Sequence, residues 1–196
     1  DYSKTTFSLI GQKIIEVYLF CRKNNAKEIE FVKLIEILIF PFQELLINNT
    51  EIKQEEYDDI FKIFLLVINA DNKFINNTSK GLLYLSNKNI NFHLKENKNL
   101  FEAIKQNSFK NENLLEILIA QFIYQEKENI EYFINTIYDI LLECQKMELY
   151  ESNEEKIINF LLKLGSDILL NNKFLLKLKE YLKGKNIHPS CYELIK

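Results

Sequence analysis

The stretch that decides the fold is residues 130–141, IEYFINTIYDIL, where apolar side chains recur at the spacing of an α-helix. Positions i, i+3, i+4, i+7 and i+11 are occupied by Ile130, Phe133, Ile134, Ile137 and Leu141. This spacing places the apolar side chains on one helical face and leaves the opposite face polar. The stretch is therefore predicted to be an amphipathic helix that packs against other helices.

The same spacing continues on both sides, with clear stripes over 115–122 and 157–168. No alternating run ends in an Asn-Gly or Asp-Gly turn, so β-hairpins are not predicted. We therefore expect an all-α fold. The predicted helices cover 7–23, 29–39, 42–48, 54–69, 78–87, 89–95, 98–106, 112–125, 128–147, 153–170, 172–183 and 189–195.

Single residues predict where helices end and where they approach each other. Pro41 has no backbone N–H, so we expect it to break or kink the run 29–48. Asn111 is a predicted N-cap because its short polar side chain can accept a backbone hydrogen bond. Glycines inside helical patterns cost stability, so close helix–helix contact is expected at Gly11, Gly81 and Gly165.

The composition is that of a globular protein. Of 196 residues, 47 % are hydrophobic and 27 % are charged, and the formal net charge is −3. No apolar run reaches the ~18 residues of a membrane span, so no transmembrane segment is expected. Arg22 is the only arginine, which disfavours specific recognition of nucleic acid because arginine is the preferred partner of phosphates and guanine edges. No Pro/Gly/Ser-rich linker occurs, and we expect residues 1–196 to form one all-helical domain.

The residues that most often perform chemistry are few and scattered. The cysteines Cys21, Cys144 and Cys191 form no Cys-x-x-Cys pair, so neither a zinc site nor a disulfide framework is predicted. We interpret them as buried free thiols and expect a cytoplasmic location, with secretion left open. Neither His93 nor His188 has an acidic residue three or four positions before it, so the Glu-x-x-His and His-Glu-x-x-His patterns of helical metal sites are absent. We therefore expect no metal, no cofactor and no enzyme activity.

Three segments share one order, which is a mostly apolar helix, a polar break and a second apolar helix. They begin at residues 60, 114 and 157, and a less regular fourth begins at residue 31. Within this order, residues 79–86 (SKGLLYLS), the stretch 89–97 and residues 99–104 (NLFEAI) resemble one unit of the armadillo repeat family. That unit has a helix with a Leu-x-x-Leu-like end, a short helix after an Asn, and a helix that packs on the next repeat.

The resemblance covers residues 80–126 best. Lys98-Asn99 stands where the family usually has a glycine. The resemblance implies a right-handed stack of helical hairpins, an armadillo/HEAT-like α-solenoid, and it implies a binding scaffold rather than a catalyst. A compact helical bundle is the alternative architecture. We also expect the chain to be a piece of a longer helical-repeat protein.

Charge is unevenly distributed along the chain. Residues 73–110 contain seven lysines and two acids, residues 112–155 contain two lysines and eleven acids, and residues 173–196 contain six lysines and two acids. These blocks are interpreted as solvated outer faces of helices. Alternatively, Lys80, Lys88, Lys95, Lys98 and Lys105 form a basic surface that is complementary to an acidic peptide, an acidic tail or a membrane.

A solenoid lines its inner groove with the last helix of each repeat, and we assign that position to the predicted helix 78–87. Lys80, Tyr84 and Asn87 follow i, i+4 and i+7 there and lie opposite the leucines. The candidate partner-binding residues are Lys80, Tyr84, Asn87, Lys88, Lys95 and Lys98.

The function that we expect is a non-catalytic protein–protein interaction scaffold that binds a partner segment on a groove or helical face. One alternative is a compact helical-bundle factor of the viral or parasite type, and another is a regulatory module of an enzyme. Self-association through helices such as 128–147 stays open.

Overall fold

Stretches with helical apolar spacing fold as α-helices throughout the part of the chain that the structure describes. The structure is a computed structural model, and it describes residues 2–23, 28–48, 52–125, 127–146, 151–166 and 172–183. Within these ranges there is no β-strand, which confirms the all-α prediction. The α-helices there are α1 (Tyr2–Lys23), α2 (Glu28–Asn48), α3 (Gln54–Ala70), α4 (Phe74–Asn87), α5 (Lys98–Asn107), α6 (Glu112–Ala120), α7 (Lys127–Lys146), α8 (Glu151–Ser166) and α9 (Asn172–Leu182).

The chain divides into two compact units. The first unit is Asp1–Tyr124 and contains α1 to α6, followed by a 3-10 turn at Gln121–Tyr124. The second unit is Gln125–Lys196 and contains α7 to α9. The expectation of one domain over residues 1–196 stays a prediction.

In the first unit, helices that are neighbours in sequence pack together as α1/α2, α3/α4 and α5/α6. The second helices of these pairs also pack side by side, α2 on α4 and α4 on α6. The first helices do the same, α1 on α3 and α3 on α5. The unit therefore has two rows of helices, which we name the odd row (α1, α3, α5) and the even row (α2, α4, α6).

Aromatic side chains fill the space between the pairs. Phe42 and Phe64 are fully buried, and their rings meet edge to face with centroids 5.5 Å apart. Phe61 stacks on the buried Phe92 at 4.6 Å. Edge-to-face and offset ring pairs are favourable beyond the burial of their area, so these contacts help to lock α2, α3 and the segment after α4 together.

Two predicted close approaches are confirmed. A Cβ atom added at Gly11 would lie 3.2 Å from side-chain atoms of both Ile63 and Phe42, so α1 packs closely on α3 and α2. A Cβ atom added at Gly81 would collide with the Phe64 ring. The missing side chain is thus what permits contact at both positions. Gly165 lies where the structure does not describe side-chain surroundings.

The expected break at Pro41, which would divide the run 29–48 into two helices, is wrong, because α2 continues through it. The alternative, a kink at Pro41, stays a prediction. Proline removes the hydrogen bond to the carbonyl four residues earlier, which belongs to Ile37. Ile37 itself is 69 % exposed, so this side of α2 faces solvent. Buried side chains on both sides of the proline, including Ile39 and Phe42, hold the helix against the core.

The predicted helix 89–95 is also wrong. The chain after α4 turns at Asn89, which has a φ of 61°. Ile90 N–H donates to Leu85 C=O at 3.2 Å, and Asn89 N–H donates to Ser86 C=O at 3.0 Å. This pair of bonds closes a Schellman motif, in which asparagine is a common replacement for glycine.

After this turn the side chains alternate between buried and solvent-facing positions. Ile90, Phe92 and Leu94 are buried, while His93, with a φ of 44°, is exposed. Gln121 holds the segment, because its Oε1 accepts from Phe92 N–H at 2.8 Å and its Nε2 donates to Ile90 C=O at 2.9 Å. A buried glutamine thus supplies the backbone partners that a helix would otherwise supply.

The second unit is built on the stretch that predicted the fold. Phe133, Ile134, Ile137 and Leu141 on α7 are buried. Apolar side chains of α8 and α9 are also buried in this unit, namely Ile157, Ile158, Leu161, Leu164, Leu178 and Leu182. The predicted helix 189–195 lies outside the described residues.

Candidate functional site

A depression of about 470 Å³ lies on the even row, where α2, α4 and the start of α6 meet. It is positioned by the packing of α4 between α2 and α6. Its lining residues are Glu36, Ile39, Phe40, Gln43, Asn76, Asn77, Ser79, Lys80 and Asn113.

The wall between α2 and α4 is fixed by Gln43, which is 3 % exposed. Its Nε2 donates to Asn77 C=O at 2.7 Å, and its Oε1 accepts from Gly81 N–H at 3.0 Å. Both ends of the carboxamide are therefore satisfied by the backbone of α4. Hydrogen bonds at both ends of the carboxamide restrict its orientation and tie α2 to α4.

Side-chain amides hold the wall on the α6 side. Asn76 Nδ2 donates to Asn107 Oδ1 at 3.1 Å, and Asn111 Nδ2 donates to Asn76 Oδ1 at 3.0 Å. Asn113 Nδ2 lies 3.4 Å from Ser79 Oγ, at the long end of hydrogen-bond distance. These contacts join the end of α5, the start of α4 and the start of α6.

The charges at the depression have different surroundings. Glu36 is 3.6 Å from Lys73 Nζ, and Lys73 also lies 3.4 Å from Asp71. Lys80 is exposed and forms no ion pair with any side chain that the structure describes. The Lys80 ammonium is therefore the charge at this site that is available to an incoming anion.

An apolar edge borders the polar wall. Phe40 lines the depression and is 59 % exposed, and Ile37, one turn earlier on α2, is also exposed. Phe40 and Ile37 together give the depression an exposed apolar border beside its polar groups.

Three of the predicted partner-binding residues lie on one face of α4. Lys80 lines the depression, and Asn87 is exposed two turns later. Tyr84, between them, is half-buried, and its ring packs edge to face on Tyr57 of α3 at 6.2 Å. Tyr84 thus serves packing at least as much as it faces solvent.

The remaining three predicted residues are lysines. Lys88 follows α4, and its Nζ lies 5.3 Å from the centroid of the Tyr84 ring, a cation–π distance. Lys95 is in the segment between α4 and α5, and Lys98 begins α5, which belongs to the odd row. Lys95 and Lys98 are exposed and do not line the depression.

Sequence reasoning missed Phe40, Gln43, Asn76 and Asn113 as parts of the site. One signal was present, because Gln43 follows a mostly apolar run and is a polar residue in register with the buried Ile39 and Leu46. The asparagines gave no signal, since their partners lie on other helices.

The thiol and the potential metal ligands that the structure describes can be placed individually. Burial raises the pKa of the Cys144 thiol to about 11, helped by the nearby Glu154 carboxylate, so this cysteine is not a thiolate near neutral pH. No group of three or more His, Cys, Asp or Glu side chains is placed to hold a metal ion among the described residues. His188 and Cys191 lie outside the described residues, and the structure does not describe the side-chain surroundings of Cys21.

Among the described helices, none combines the length and the apolar character needed to cross a membrane. The chain matches no protein-family model, no curated protein and no solved structure.

Proposed function

We propose that this chain is a non-catalytic protein–protein interaction scaffold that holds a segment of a partner against the even row of its first unit. The observation that supports it is the depression between α2, α4 and α6, where Lys80 and the exposed Phe40 lie beside a wall of fixed amides. A concave surface with one available cation and one aromatic edge is suited to binding a ligand.

The two-row packing supports an armadillo/HEAT-like α-solenoid as the architecture behind this function. In such a solenoid each hairpin contributes one helix to each row, which is how α1/α2, α3/α4 and α5/α6 are arranged. The even row then corresponds to the groove side, where α4 was assigned from the sequence.

The chemistry of the depression favours a partner segment with a carboxylate near a large apolar side chain. The carboxylate would pair with the Lys80 ammonium, and the apolar side chain would cover Phe40. Such a contact would gain specificity from charge and affinity from the buried apolar area.

The test is selection of a random phage-displayed peptide library on the immobilised full chain. We expect enriched peptides with Asp or Glu close to a large apolar residue. A synthetic peptide of that sequence should bind about tenfold or more weakly to Lys80→Glu and to Phe40→Asp, and its affinity for the wild type should fall as salt is added.

Lys62→Glu is the matched control, because Lys62 is an exposed lysine on α3 in the odd row. This variant should bind the peptide as the wild type does. Failure to enrich any peptide, or enriched peptides that bind Lys80→Glu and Phe40→Asp as tightly as the wild type, would overturn the proposal.

A further inference from the structure

Exposed apolar side chains are concentrated on the first hairpin. Of the eleven large hydrophobic residues that are exposed in the described part of the chain, eight lie on α1 and α2. Isolated exposed apolar residues are common on any protein, whereas a concentration on one hairpin indicates a contact surface. On α1 the exposed members are Leu9, Ile15, Leu19 and Phe20.

One stripe along α1 combines apolar and charged residues in a fixed order. Leu9, Lys13, Glu16 and Phe20 are separated by four, three and four residues, so they lie on one helical face. Leu9 is 59 % exposed and Phe20 is 66 % exposed, while Lys13 and Glu16 are also exposed and pair with each other at 2.7 Å. The opposite face, with the buried Ile14, packs into the unit.

This stripe is complementary to itself when it is reversed. Its order is apolar, basic, acidic, apolar, and its midpoint lies between Lys13 and Glu16. If a second α1 packs antiparallel about that midpoint, each Lys13 faces the Glu16 of the other copy. Each Leu9 then faces the Phe20 of the other copy. A two-fold contact requires this kind of self-complementary surface.

A depression beside the stripe can receive the larger of these side chains. It has a volume of about 370 Å³ and lies between α1 and α2. Its lining residues are Leu9, Ile10, Gln12, Lys13, Glu16 and Leu38. In the antiparallel arrangement Phe20 of the second copy comes to Leu9, at the edge of this depression, so a ring can be buried there.

We propose that α1 is the contact surface of an antiparallel homodimer of this chain, with the Leu9–Lys13–Glu16–Phe20 stripe of each copy on that of the other. The stripe lies on the odd row and shares no residue with the depression that contains Lys80. The proposed dimer and the proposed binding of a partner segment can therefore be tested independently of each other.

The two kinds of contact have different roles in this dimer. The Leu9 and Phe20 contacts supply affinity, because they remove apolar area from water. The four charges at the centre supply register and orientation, since exposed ion pairs contribute little net stability but like charges placed together are unfavourable.

Sedimentation equilibrium of the full chain over a range of concentrations tests the proposal. The wild type should show a reversible monomer–dimer equilibrium. Lys13→Glu should place acidic groups opposite each other across the two-fold axis, and Glu16→Lys should place lysines opposite each other. We expect each variant alone to weaken dimerisation by about tenfold or more.

Mixing the two variants gives the decisive result. In the mixed dimer, the carboxylates of the Lys13→Glu chain face the ammonium groups of the Glu16→Lys chain at both central positions. The mixture should therefore recover the wild-type dimerisation constant, although each variant alone does not. Weakening in each variant alone together with recovery in the mixture is the result expected when position 13 faces position 16 of the other copy, and an effect on folding alone does not produce it.

Lys62→Glu is again the matched control, because Lys62 and Asp59 form an ion pair with the same separation of three residues and the same 2.7 Å distance on α3. It should leave dimerisation unchanged, while Phe20→Gln should abolish most of it without loss of helical circular dichroism. A wild type that stays monomeric at all concentrations would overturn the proposal. So would a dimer that tolerates Phe20→Gln, or a mixture that associates no better than its components.

Discussion

The side-chain oxygen of Gln43 accepts a hydrogen bond from the backbone N–H of Gly81 at 3.0 Å. The nitrogen of the same carboxamide donates to Asn77 C=O at 2.7 Å. In a regular α-helix, the N–H of residue 81 and the C=O of residue 77 pair with each other. Gln43 on α2 therefore bonds to both members of one turn of α4, and it ties these two helices together through backbone groups.

Gly81→Ala should destabilise the first unit. The added Cβ would collide with the buried ring of Phe64, and overpacking a core costs about 1–3 kcal/mol. This cost should exceed the gain of about 1 kcal/mol that alanine brings to a helix. Urea unfolding followed by circular dichroism measures the difference. Gly11→Ala is the comparison, because its neighbours are side-chain ends at 3.2 Å that can move, and its loss should be smaller. A more stable Gly81→Ala protein would contradict the packing described above.

Gln121→Leu should release the segment that follows α4. The change leaves the buried Phe92 N–H and Ile90 C=O without their partner, and each unsatisfied group costs about 1–3 kcal/mol. Native-state hydrogen exchange should show faster exchange at the Phe92 amide than in the wild type. Gln106→Leu changes an exposed glutamine on α5 and should leave that exchange rate as it is. Equal exchange rates at the Phe92 amide in the wild type and Gln121→Leu would show that the Gln121 hydrogen bonds do not hold this segment.

Substitutions of the candidate partner-binding residues on α4 should fall into two groups according to how much they change the free energy of unfolding. Lys80→Ala and Asn87→Ala remove exposed side chains and should change the free energy of unfolding by no more than about 0.5 kcal/mol. Tyr84→Ala should lower it by about 1 kcal/mol or more, because the ring packs on Tyr57 and lies under Lys88. Chemical denaturation of the three variants checks this order. Tyr84→Ala with wild-type stability would contradict a packing role for that ring.

Asn111→Ala should weaken the start of α6. The Asn111 side chain accepts from Leu114 N–H at 3.4 Å as an N-cap and donates to Asn76 at 3.0 Å. Loss of a cap of this kind costs about 1 kcal/mol. Asn111→Ser keeps an N-cap but removes the contact with Asn76, so its thermal midpoint should fall between those of the wild type and Asn111→Ala. A wild-type midpoint for Asn111→Ala would argue against the cap.

Alkaline pH should destabilise the protein through groups that are buried in their protonated form. Burial raises the pKa of Cys144 from 9.0 to about 11, and burial together with a hydrogen bond to Tyr84 raises the pKa of Tyr57 from 10.0 to about 12. Because the folded state holds these protons more tightly than the unfolded state, their contribution to stability is full below pH 9. It is lost as the pH rises from 9 towards 12.

Thermal unfolding measured at a series of pH values tests this expectation. Titration of Cys144 and Tyr57 should not change the thermal midpoint below pH 9. Above pH 9 the thermal midpoint should decline. Tyr57→Phe removes one of the titrating groups, so its decline above pH 10 should be shallower than that of the wild type. Parallel curves for both proteins would exclude Tyr57 as a contributor.

The sequence by itself determined the helices whose apolar stripes are regular, as α7 shows, because the spacing of apolar side chains acts within a few turns. It also predicted the Asn111 cap and the close contacts at Gly11 and Gly81. Each of these features depends on one residue and its immediate chain neighbours or on the lack of a side chain.

Only the tertiary structure decided which helices pair, and where the depression on the even row lies. It keeps α2 continuous at Pro41 and prevents a helix over 89–95. The residues responsible are far apart in sequence, since Gln121 bonds to Phe92 and Gln43 to Gly81. A buried backbone group needs a hydrogen-bond partner, and a side chain from a distant part of the sequence can provide it. The burial of side chains such as Phe92 outweighs the local preference for a helix.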